Sequence, residues 1–516
     1  MKLFLLLVVS FILFFNNLGG IALWDPDEPR QAIMAREMMQ RHDYIHPYLN
    51  GQPYLEKPPF YPWMIIVTAK LKGGLDELSS RIPAALSATL LLLVTYYLGC
   101  SLVGGQAGLL SALVLATNYQ FLSNARESVM DMTFAFLIGL TACLNYAAIL
   151  RNKRLYFILS FVPASLAILT KGPAGLVLPA IAIFFYLISK KNLKRFIFPL
   201  VVGCLLAGAL SSIWFLLAGP EYIKEFILHQ NITRYTNAFD HIEDLFYYFH
   251  KLFFNFLPWS ILLPFATYHA FKKRIWFPLI WFISTFLFFE LSTSKRAIYL
   301  LSCYPACALL VGIYLKDKWQ SLVVNGITGR LLGLFALILA SLPVLSLVAL
   351  RVVPSPVVAA FRQESVTLYG YVSVLILAGG IMLYSFTRRS STLALAGLFF
   401  YFVFVGFFYN AFYMPVMDRN FKSPRLITDQ LTSLKEGREI YTYGFNSAGI
   451  IYYVGKPIHV FTNLNEIKDK KNDILLIVED EQAQHMQKDL NSLFLPVRKA
   501  RYEKEHYTIY VRRHGR

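Results

Sequence analysis

Charged residues are scarce in this sequence of 516 residues. They form 16% of the chain, while hydrophobic residues form 56%; soluble globular proteins carry roughly 25% charged and about 45–50% apolar residues. This scarcity excludes an ordinary soluble protein and predicts a polytopic membrane protein. The net charge of +18 does not indicate nucleic acid as a partner, because the basic residues form short clusters between apolar segments, where they set membrane orientation.

Cysteine is also rare, and all five cysteines lie within apolar segments: Cys100, Cys143, Cys204, Cys303 and Cys307. None shows C-x-x-C or zinc-knuckle spacing, so the sequence indicates neither a disulfide framework nor a thiolate metal site. Internal repeats are lacking too, which argues against the inverted repeats of many secondary transporters.

Thirteen apolar stretches approach the length of about 20 residues that a helix needs to cross a bilayer. They lie near residues 3–23, 82–101, 105–122, 130–150, 155–170, 173–189, 196–218, 256–271, 275–292, 297–315, 329–352, 368–387 and 392–413. The first has the lysine and apolar run of a signal peptide, but no cleavage site of small residues stands out, so we interpret it as an uncleaved span. The predicted fold class is an all-α polytopic membrane protein.

The basic clusters predict the orientation, because short cytoplasmic loops carry the excess of lysine and arginine. With the N-terminus in the cytoplasm, every predicted cytoplasmic loop is basic: "RNKR" (151–154), "KKNLKR" (190–195), "FKKR" (271–274), "KDK" (316–318) and "TRR" (387–389). This assignment treats residues 58–71 as a segment along the interface. It places the long stretches 24–81 and 219–255 on the outer side.

The C-terminal segment from about residue 415 has a different pattern. "EIYTYGF" (439–445) and "DILLIVE" (473–479) predict strands. Residues 423–437, which begin with the cap signal of Ser423, and residues 481–494 show helical spacing. We therefore predict two domains, a membrane domain over 1–414 and a small soluble α/β domain over 415–516 outside the membrane.

Polar side chains gather on the predicted outer face, near the ends of the spans. They are Asp27, Glu28, Arg30, Tyr54, Glu56, Lys57, Asp131, Lys171 and Lys295. A charge near hydrocarbon is costly unless it is paired or lies in a water-filled cavity, so a function is its default interpretation. Carboxylates act as general bases or metal ligands, while lysine and arginine match phosphate oxygens. Such a face suits a phosphate-linked lipid substrate.

Each of these residues also has a structural interpretation. Asp27 stands at the N-cap position of a predicted helix over 28–41, which has proline in its first turn. Glu56 and Lys57, taken singly, are typical of solvated charges. Asp131 is placed to cap the fourth span, and Lys171 is placed at the C-terminal end of the fifth, where a helix dipole favours a cation. Both interpretations stay open at this point.

The first outer loop resembles that of a known family. Asp27, Glu28 and Arg30 precede the block Glu56-Lys57-Pro58-Pro59 by 29 positions from acid to acid, with "LNG" shortly before the block. This pattern resembles the ArnT-like and protein O-mannosyltransferase superfamily, which are membrane glycosyltransferases of the GT-C class. Further matches are "RIPAAL" (81–86), "MDMTFAF" (130–136), "TKGPAG" (170–175), "NITRY" (231–235), "LPWSILLP" (257–264) and "STSKRAIYLLSCYPACALL" (292–310).

The resemblance covers about residues 1–415 and implies a GT-C fold. It also implies an enzyme of the bacterial inner membrane that transfers a sugar from a polyprenyl-phosphate carrier, such as undecaprenyl phosphate, to an acceptor on the outer side. The implied roles are these: Asp27 is the base, with Glu28 and Asp131 as further catalytic candidates; Arg30, Tyr54, Glu56, Lys57, Lys171, Arg234 and Lys295 bind substrate. The implied chemistry is a direct displacement with inversion at the anomeric carbon.

A divalent metal ion is a further implication of the resemblance. Its ligands would be Glu56 and a histidine, but this sequence has Asn231 at the expected position. His229 and His241 are the neighbouring alternatives. One acid and a displaced histidine are weak grounds for a metal site, and an ordinary loop histidine is the competing interpretation.

The alternative function is a lipid-linked glycan flippase or transporter. It predicts ionisable residues near the bilayer midplane, whereas the predicted spans of this chain are nearly free of charge. Neither the sugar nor the acceptor follows from the sequence. Lipid A-like molecules, other glycans and proteins all stay open as acceptors.

Overall fold

The computed structural model describes residues 1–233, 235, 241–324, 326–388, 390–434, 437–464, 466 and 473–513. Helices dominate it. The α-helices are Lys2–Ser10, Asp27–Arg41, Phe60–Lys72, Glu77–Leu102, Gly105–Ala116, Tyr119–Asn124, Met130–Leu150, Arg154–Leu159, Val162–Lys171, Ala174–Ser189, Leu193–Ala218, Pro220–Tyr222, Tyr247–Asn255, Leu263–Lys273, Trp276–Glu290, Tyr304–Val324, Gly326–Val352, Pro356–Gln363, Ser365–Thr387, Ser391–Phe408, Met414–Met417, Arg425–Leu431, Ala448–Val454, Asp480–His485 and Gln487–Leu493. Shorter 3₁₀ segments are Trp259–Ile261 and Ala297–Cys303, and π-helical segments are Phe11–Phe15, Ile223–Thr233, Tyr409–Tyr413 and Asp418–Lys422.

The predicted spans coincide with these helices. Within the described ranges, eight helices are long and apolar enough to cross a membrane: Glu77–Leu102, Met130–Leu150, Arg154–Lys171, Leu193–Ala218, Ala297–Val324, Gly333–Val352, Thr367–Ser385 and Ser391–Lys422. Four shorter apolar helices are Lys2–Phe15, Gly105–Ala116, Ala174–Ser189 and Trp276–Glu290. The remaining predicted span, 256–271, overlaps the helix Leu263–Lys273. The fold class predicted from the sequence is confirmed, and the chain is a multi-span membrane protein.

The predicted span 105–122 is interrupted in the structure. Its first helix ends at Ala116, and Asn118 caps a second helix by accepting a hydrogen bond from the backbone N–H of Phe121 at 2.8 Å. The local cap explains the break, because an asparagine side chain at an N-cap satisfies a backbone donor that the helix itself leaves open. The first of these helices has 12 residues.

Phe60–Lys72 is a helix of 13 residues. At 1.5 Å per residue its length is about 20 Å, which is shorter than the roughly 30 Å of a bilayer's hydrocarbon core. Because the shorter helix Gly105–Ala116 also lies in a predicted span, this length does not decide the matter, and the interpretation of residues 58–71 as an interfacial segment stays a prediction.

The chain divides into two compact units. The first unit comprises Met1–Asn16, Leu55–Met64 and Arg81–Ala411. The second unit comprises Asn17–Tyr54, Ile65–Ser80 and Phe412–Arg516. Most of the first outer loop thus belongs to the same unit as the C-terminal segment. The independent domains that we predicted from the sequence, 1–414 and 415–516, stay a prediction.

The second unit contains the sheets. A short antiparallel pair, β1 (Tyr48–Leu49) and β2 (Gln52–Pro53), lies in the first outer loop. The larger sheet has five strands: β3 (Glu439–Tyr443), β4 (His459–Phe461), β5 (Ile474–Glu479), β6 (Phe494–Tyr502) and β7 (Glu505–Arg512). Their order is β4-β3-β5-β7-β6, with β3 parallel to β4 and β5, and β7 antiparallel to β5 and β6. The strands predicted at 439–445 and 473–479 are confirmed as β3 and β5, and the β6–β7 hairpin was not predicted.

The helix Asp27–Arg41 packs into the core of the second unit. Its Ile33 is fully buried in an apolar cluster with Ile427, Ile450 and Ile477, which belong to two C-terminal helices and the central strand β5. The opposite face of the sheet has its own cluster, in which Leu476 and Leu490 are fully buried. Apolar burial of this kind contributes roughly 25 cal/mol per Å². This burial therefore holds the helix Asp27–Arg41 against the C-terminal sheet.

Two predicted helix caps are wrong. The helix over residues 27–41 begins at Asp27 itself and has Pro26 at its N-cap position, so Asp27 is the first helical residue. The helix Arg425–Leu431 has Pro424 at its N-cap position, one residue after Ser423. The Ser423 hydroxyl still accepts a hydrogen bond from the backbone N–H of Arg425 at 3.3 Å. In both cases a proline occupies the N-cap position, and no side-chain hydrogen bond caps the helix there.

Candidate active site

A cavity of about 290 Å³ lies in the first unit. Three of the predicted site residues line it, namely Lys57, Asp131 and Lys171. The other lining residues combine apolar and aromatic groups with amides and hydroxyls: Phe134, Pro173, Ala174, Val177, Gln230, Asn231, Tyr235, Phe288, Phe289, Ser292, Ser294, Ile298, Tyr299, Leu301 and Ser302. The fold therefore brings together two cations and a carboxylate from three segments that are separate in sequence.

Lys171 and Asp131 form an ion pair in this cavity. Asp131 lies in the first turn of the helix Met130–Leu150, and Lys171 is the last residue of the helix Val162–Lys171. Each charge thus has the sign that the dipole of its helix end favours. Val129, not Asp131, occupies the N-cap position, so the expectation that Asp131 caps this helix is wrong. The side chains are 13% and 16% exposed, and the charge pairing offsets much of the cost of removing them from water.

Aromatic rings surround the ammonium groups of this cavity. Lys171 Nζ lies 4.3 Å from the centre of the Tyr299 ring and 5.7 Å from that of Phe134. Lys57 Nζ lies 5.8 Å from the centre of the Phe226 ring. Ring faces attract cations within about 6 Å and attract them more strongly where water is excluded. The rings therefore help to hold both cations at the cavity wall.

Gly172 follows Lys171 in a backbone conformation that favours glycine, with φ of +110°. A Cβ atom at this position would meet the Asn231 Oδ1 atom at 2.6 Å and the Phe226 ring at 2.9 Å. Asn231 is held in turn by a hydrogen bond of 2.6 Å from its side-chain amide to the Phe226 carbonyl. The glycine thus allows the Lys171 helix end and the outer segment around Asn231 to approach closely.

The outer segment beyond Asn231 contributes Tyr235. Its hydroxyl donates a hydrogen bond to the Phe288 carbonyl at 2.9 Å, and burial raises the pKa of this phenol. The predicted phosphate ligand Arg234 lies outside the described residues. A role for Arg234 therefore stays a prediction.

Lys295 and His241 line a second cavity of the first unit, with a volume of about 340 Å³. Lys295 is almost fully buried; its ammonium donates a hydrogen bond to the Asp244 carbonyl at 2.6 Å and lies 3.7 Å from the carboxylate of Glu290. The backbone N–H of Lys295 donates to the carbonyl of His241 at 2.9 Å. Ile298 lines both cavities. Lys295 thus lies in the second cavity and not beside Lys57.

The predicted residues Asp27, Glu28, Arg30 and Tyr54 of the first loop lie in the second unit. Asp27 is 35% exposed, and its carboxylate lies 3.6 Å from the guanidinium of Arg30. Glu28 is buried and accepts a hydrogen bond of 3.0 Å from the backbone N–H of Trp24. Tyr54 is half-buried, and its backbone N–H donates to the Pro47 carbonyl at 2.8 Å. Asp27 is therefore the more accessible carboxylate of the adjacent pair.

The candidate metal ligands Glu56, His229 and His241 lie in the first unit. Among the described residues, no group of three or more His, Cys, Asp or Glu side chains is placed to hold a metal ion. His229 instead lies 3.0 Å from Glu225 of the same helical segment, and a hydrogen bond from Gln230 lowers the pKa of this glutamate. Glu56, in the first unit, is exposed. A metal site formed by Glu56 and one histidine stays a prediction.

Several cavity residues were missed by the sequence interpretation. Tyr299 lies within "STSKRAIY" and Gln230 precedes "NITRY", so both stand in stretches that the resemblance had identified, but their polar groups were not assigned a role. Phe288 and Phe289 belong to an apolar helix, where an aromatic pair does not differ from lipid-facing residues in sequence. The cavity as a whole can bind an amphipathic anion, since lysine side chains pair with phosphate oxygens and the apolar wall covers a hydrocarbon chain.

The chain is similar to several known proteins. The family model described as dolichyl-phosphate-mannose-protein mannosyltransferase matches residues 56–215. An uncharacterised protein of Aquifex aeolicus is 31% identical over 471 residues, which cover 89% of this chain and 88% of the relative. An undecaprenyl phosphate-alpha-4-amino-4-deoxy-L-arabinose arabinosyl transferase of Edwardsiella ictaluri is 29% identical over 351 residues. That match covers 64% of this chain and 63%, a little under two thirds, of the relative.

Among solved structures, ArnT from Cupriavidus metallidurans bound to undecaprenyl phosphate superposes with a TM-score of 0.77. The sequence identity is 20%, and the superposition covers 98% of this chain and 97% of the other. At this identity the likeness establishes the fold, which is the one predicted from the sequence.

Proposed function

Because the chain belongs to the ArnT-like family of GT-C membrane glycosyltransferases, we propose that it transfers a sugar from a polyprenyl phosphate to an acceptor in the cell envelope. The carrier proposed is undecaprenyl phosphate, which the name of the arabinosyl transferase relative includes. The sugar and the choice among lipid A-like molecules, other glycans and proteins as acceptor are left open.

The cavity around Lys57 is the observation that carries this proposal. It places the ammonium groups of Lys57 and Lys171 and the carboxylate of Asp131 against an apolar and aromatic wall. A polyprenyl-phosphate sugar has the matching parts, which are a phosphodiester, a hydrocarbon chain and a polar sugar. Amide and hydroxyl groups such as those of Gln230, Ser292 and Ser302 are suited to hydrogen bonds with the sugar.

The proposed reaction is a direct displacement. The oxygen of an acceptor hydroxyl forms a bond to the anomeric carbon while the bond from that carbon to the phosphate oxygen breaks. The hydroxyl proton passes to a carboxylate, and the electron pair of the broken bond leaves with polyprenyl phosphate. Lys57 stabilises the charge that develops on this phosphate, because a fixed cation in a site of low polarity acts most strongly where charge appears. The configuration of the anomeric carbon is inverted.

Asp27 is the carboxylate proposed as base. It is partly exposed and held by Arg30, whereas its neighbour Glu28 is buried and accepts a hydrogen bond from the backbone. A base must reach the acceptor hydroxyl, so accessibility favours Asp27. Asp131 is paired with Lys171, which supports a role in shaping the donor cavity. Arg30, Tyr54, Glu56, Arg234 and Lys295 stay proposed substrate contacts.

The proposed location is the inner membrane of a bacterium, with a cytoplasmic N-terminus and both the active site and the C-terminal α/β domain on the outer side. The basic loops between the spans support this orientation.

The Asp27→Asn variant tests the proposed base. Wild type and variant are reconstituted in vesicles with polyprenyl phosphate carrying a radiolabelled sugar and with an envelope extract as acceptor. We expect Asp27→Asn to slow transfer about 10²- to 10⁴-fold, which is the usual contribution of general base catalysis. The matched control is Asp489→Asn, an exposed aspartate in the first turn of another helix of the second unit, which is expected to transfer at the wild-type rate. Wild-type transfer by Asp27→Asn would contradict the proposed base.

A further inference from the structure

Asp25 is held by three hydrogen-bond donors of the C-terminal segment. The backbone N–H of Gly449 donates to its Oδ1 atom at 2.7 Å, and the Tyr502 hydroxyl donates to its Oδ2 atom at 2.9 Å. The Ser447 hydroxyl also donates to Oδ2. The donors are 422 to 477 residues away in sequence, and all belong, like Asp25, to the second unit. Both carboxylate oxygens are thus occupied.

The hydrogen bonds of Ser447 have a defined direction. Its hydroxyl oxygen accepts from the backbone N–H of Ile450 at 3.1 Å and caps the helix Ala448–Val454. The hydroxyl proton is therefore available for Asp25. A carboxylate that accepts from the backbone at the start of a helix gains from charge-assisted hydrogen bonds. Asp25, although remote in sequence, completes the cap of this helix.

Gly449 makes this close approach possible. A Cβ atom at position 449 would lie 2.9 Å from the Asp25 Oδ2 atom and 2.4 Å from the Pro424 ring. Any larger residue would push the carboxylate away from its donors. The absence of a side chain at Gly449 therefore leaves the space that the Asp25 carboxylate occupies.

Further contacts fix the loop on both sides of Asp25. Before it, the Asp418 carboxylate accepts hydrogen bonds from the backbone N–H of Ala22 at 3.2 Å and from the Trp24 indole at 2.8 Å. After it, the Arg36 guanidinium donates to the carbonyls of Tyr452 at 2.7 Å and Ile451 at 3.3 Å. All of these residues belong to the second unit. Asp25 therefore links the start of the helix Asp27–Arg41 to the C-terminal segment.

We infer that Asp25 is a positioning residue, which fixes the Asp27 carboxylate by tying the start of its helix to the C-terminal α/β segment. This inference rests on the proposed function, in which Asp27 is the base. Asp25 itself is not suited to be a base, because its two oxygens accept three hydrogen bonds from the protein. The C-terminal segment thereby takes part in the reaction through the placement of one side chain.

The test compares Asp25→Ala, Asp25→Asn and Tyr502→Phe in the reconstituted transfer assay. A small displacement of a catalytic group costs up to about 100-fold in rate, so we expect Asp25→Ala to lower kcat roughly 10- to 100-fold. The KM for the polyprenyl-phosphate donor is expected to change less than about twofold, because the donor cavity with Lys57 and Lys171 belongs to the first unit. Asp25→Asn keeps an oxygen for the Gly449 N–H and is expected to recover part of the loss. Tyr502→Phe removes one donor without a change of ring size and is the milder variant if Asp25→Ala does not fold.

A double-mutant cycle separates positioning from a loss of stability. If Asp25 acts through Asp27, the variant with both Asp25→Ala and Asp27→Asn is about as active as Asp27→Asn alone. Independent losses that multiply would overturn the inference. Ile477→Val, a buried change in the central strand β5, is the control that lowers stability without a fall in kcat of the folded protein.

The two proposals fail in different ways. Wild-type transfer by Asp27→Asn overturns the proposed base and this inference with it. A slow Asp27→Asn variant together with wild-type kcat in Asp25→Ala and Tyr502→Phe overturns the positioning role alone.

Discussion

Lys171 and Asp131 form a largely buried ion pair between the end of one helix and the first turn of another. Both residues line the cavity that also contains Lys57. The opposite charges of Lys171 and Asp131 offset one another. Such pairing matters here because a buried charge without a partner is costly.

Breaking this ion pair is expected to destabilise the protein. Lys171→Met or Asp131→Asn alone should lower the free energy of unfolding by on the order of 3 kcal/mol, because each leaves a charge or polar group without its partner. The double variant should lose less than the sum of the two, with a coupling above about 1 kcal/mol. Unfolding in detergent measures all three. The exposed pair Lys72–Asp76 is the matched control, for which a coupling of about 0–1 kcal/mol is expected. Additive losses at Lys171 and Asp131 would contradict the pair.

Lys57 is expected to contribute through its charge. Lys57→Ala should lower the rate of sugar transfer about 10²- to 10³-fold, the usual effect of removing one group that stabilises a developing anion. Lys57→Arg keeps the positive charge on a side chain of different shape, so its transfer rate should lie between those of wild type and Lys57→Ala. Initial rates with a labelled donor check this order. Lys272→Ala, a change of an exposed lysine at a helix end, should have no effect. Equal rates for Lys57→Ala and wild type would remove Lys57 from the site.

Gly172 is expected to tolerate no side chain. Gly172→Ala should cost about 1–3 kcal/mol, because alanine is strained at positive φ and its Cβ would meet Asn231. Gly208→Ala is the opposite control, since Gly208 lies in the helix Leu193–Ala218 with nothing within 4 Å of the added carbon. That change should stabilise by up to about 1 kcal/mol through helix propensity. Thermal unfolding of the two variants should therefore shift in opposite directions, and a shift in the same direction would contradict the account of Gly172.

The raised pKa of Asp25 predicts how the stability of the protein depends on pH. Burial raises the pKa of this carboxyl above 3.8, against the hydrogen bonds from Ser447, Gly449 and Tyr502, and the charge of Glu503 raises it further. The folded state therefore holds the proton more tightly than the unfolded state. The contribution of Asp25 to the free energy of unfolding is greatest below pH 3.8. It falls as the pH rises through the raised pKa and is constant at higher pH.

The Asp25→Asn variant does not titrate and provides the reference for this effect. The stability of wild type relative to Asp25→Asn should decrease as the pH rises from below 3.8 to neutrality. Thermal unfolding midpoints over this range measure the difference. A difference that increases with pH would show that the carboxylate form is the favoured one, contrary to the buried position of Asp25.

The membrane helices were predictable because the bilayer imposes long apolar runs, which stand out in one sequence. The hairpin of β6 and β7 was not predicted, because β6 lacks a clear strand pattern. Strand β6, "FLPVRKARY", lies at the edge of the sheet and contains proline, lysine and arginine. These residues protect an edge from unwanted pairing, but they remove the alternating pattern by which a strand is recognised.

The site was predictable in part. Lys57, Asp131 and Lys171 were all assigned to the outer face, and the structure places them in one cavity. The pairing of Lys171 with Asp131 did not follow from the sequence, because it depends on how two helix ends meet. The contacts of Asp25 could not be predicted. Its partners Ser447 and Tyr502 are more than 400 residues away, and local sequence patterns carry no information on such contacts.

The fate of a labelled donor tests the central claim most directly. Purified wild type is placed in vesicles with polyprenyl phosphate carrying a radiolabelled sugar and with an envelope extract, and a panel of sugars is used. The account predicts that label moves from the lipid carrier to an acceptor, with release of an equal amount of free polyprenyl phosphate. Label that stays on the carrier for every sugar while the intact donor crosses the bilayer would contradict a glycosyltransferase and indicate a flippase.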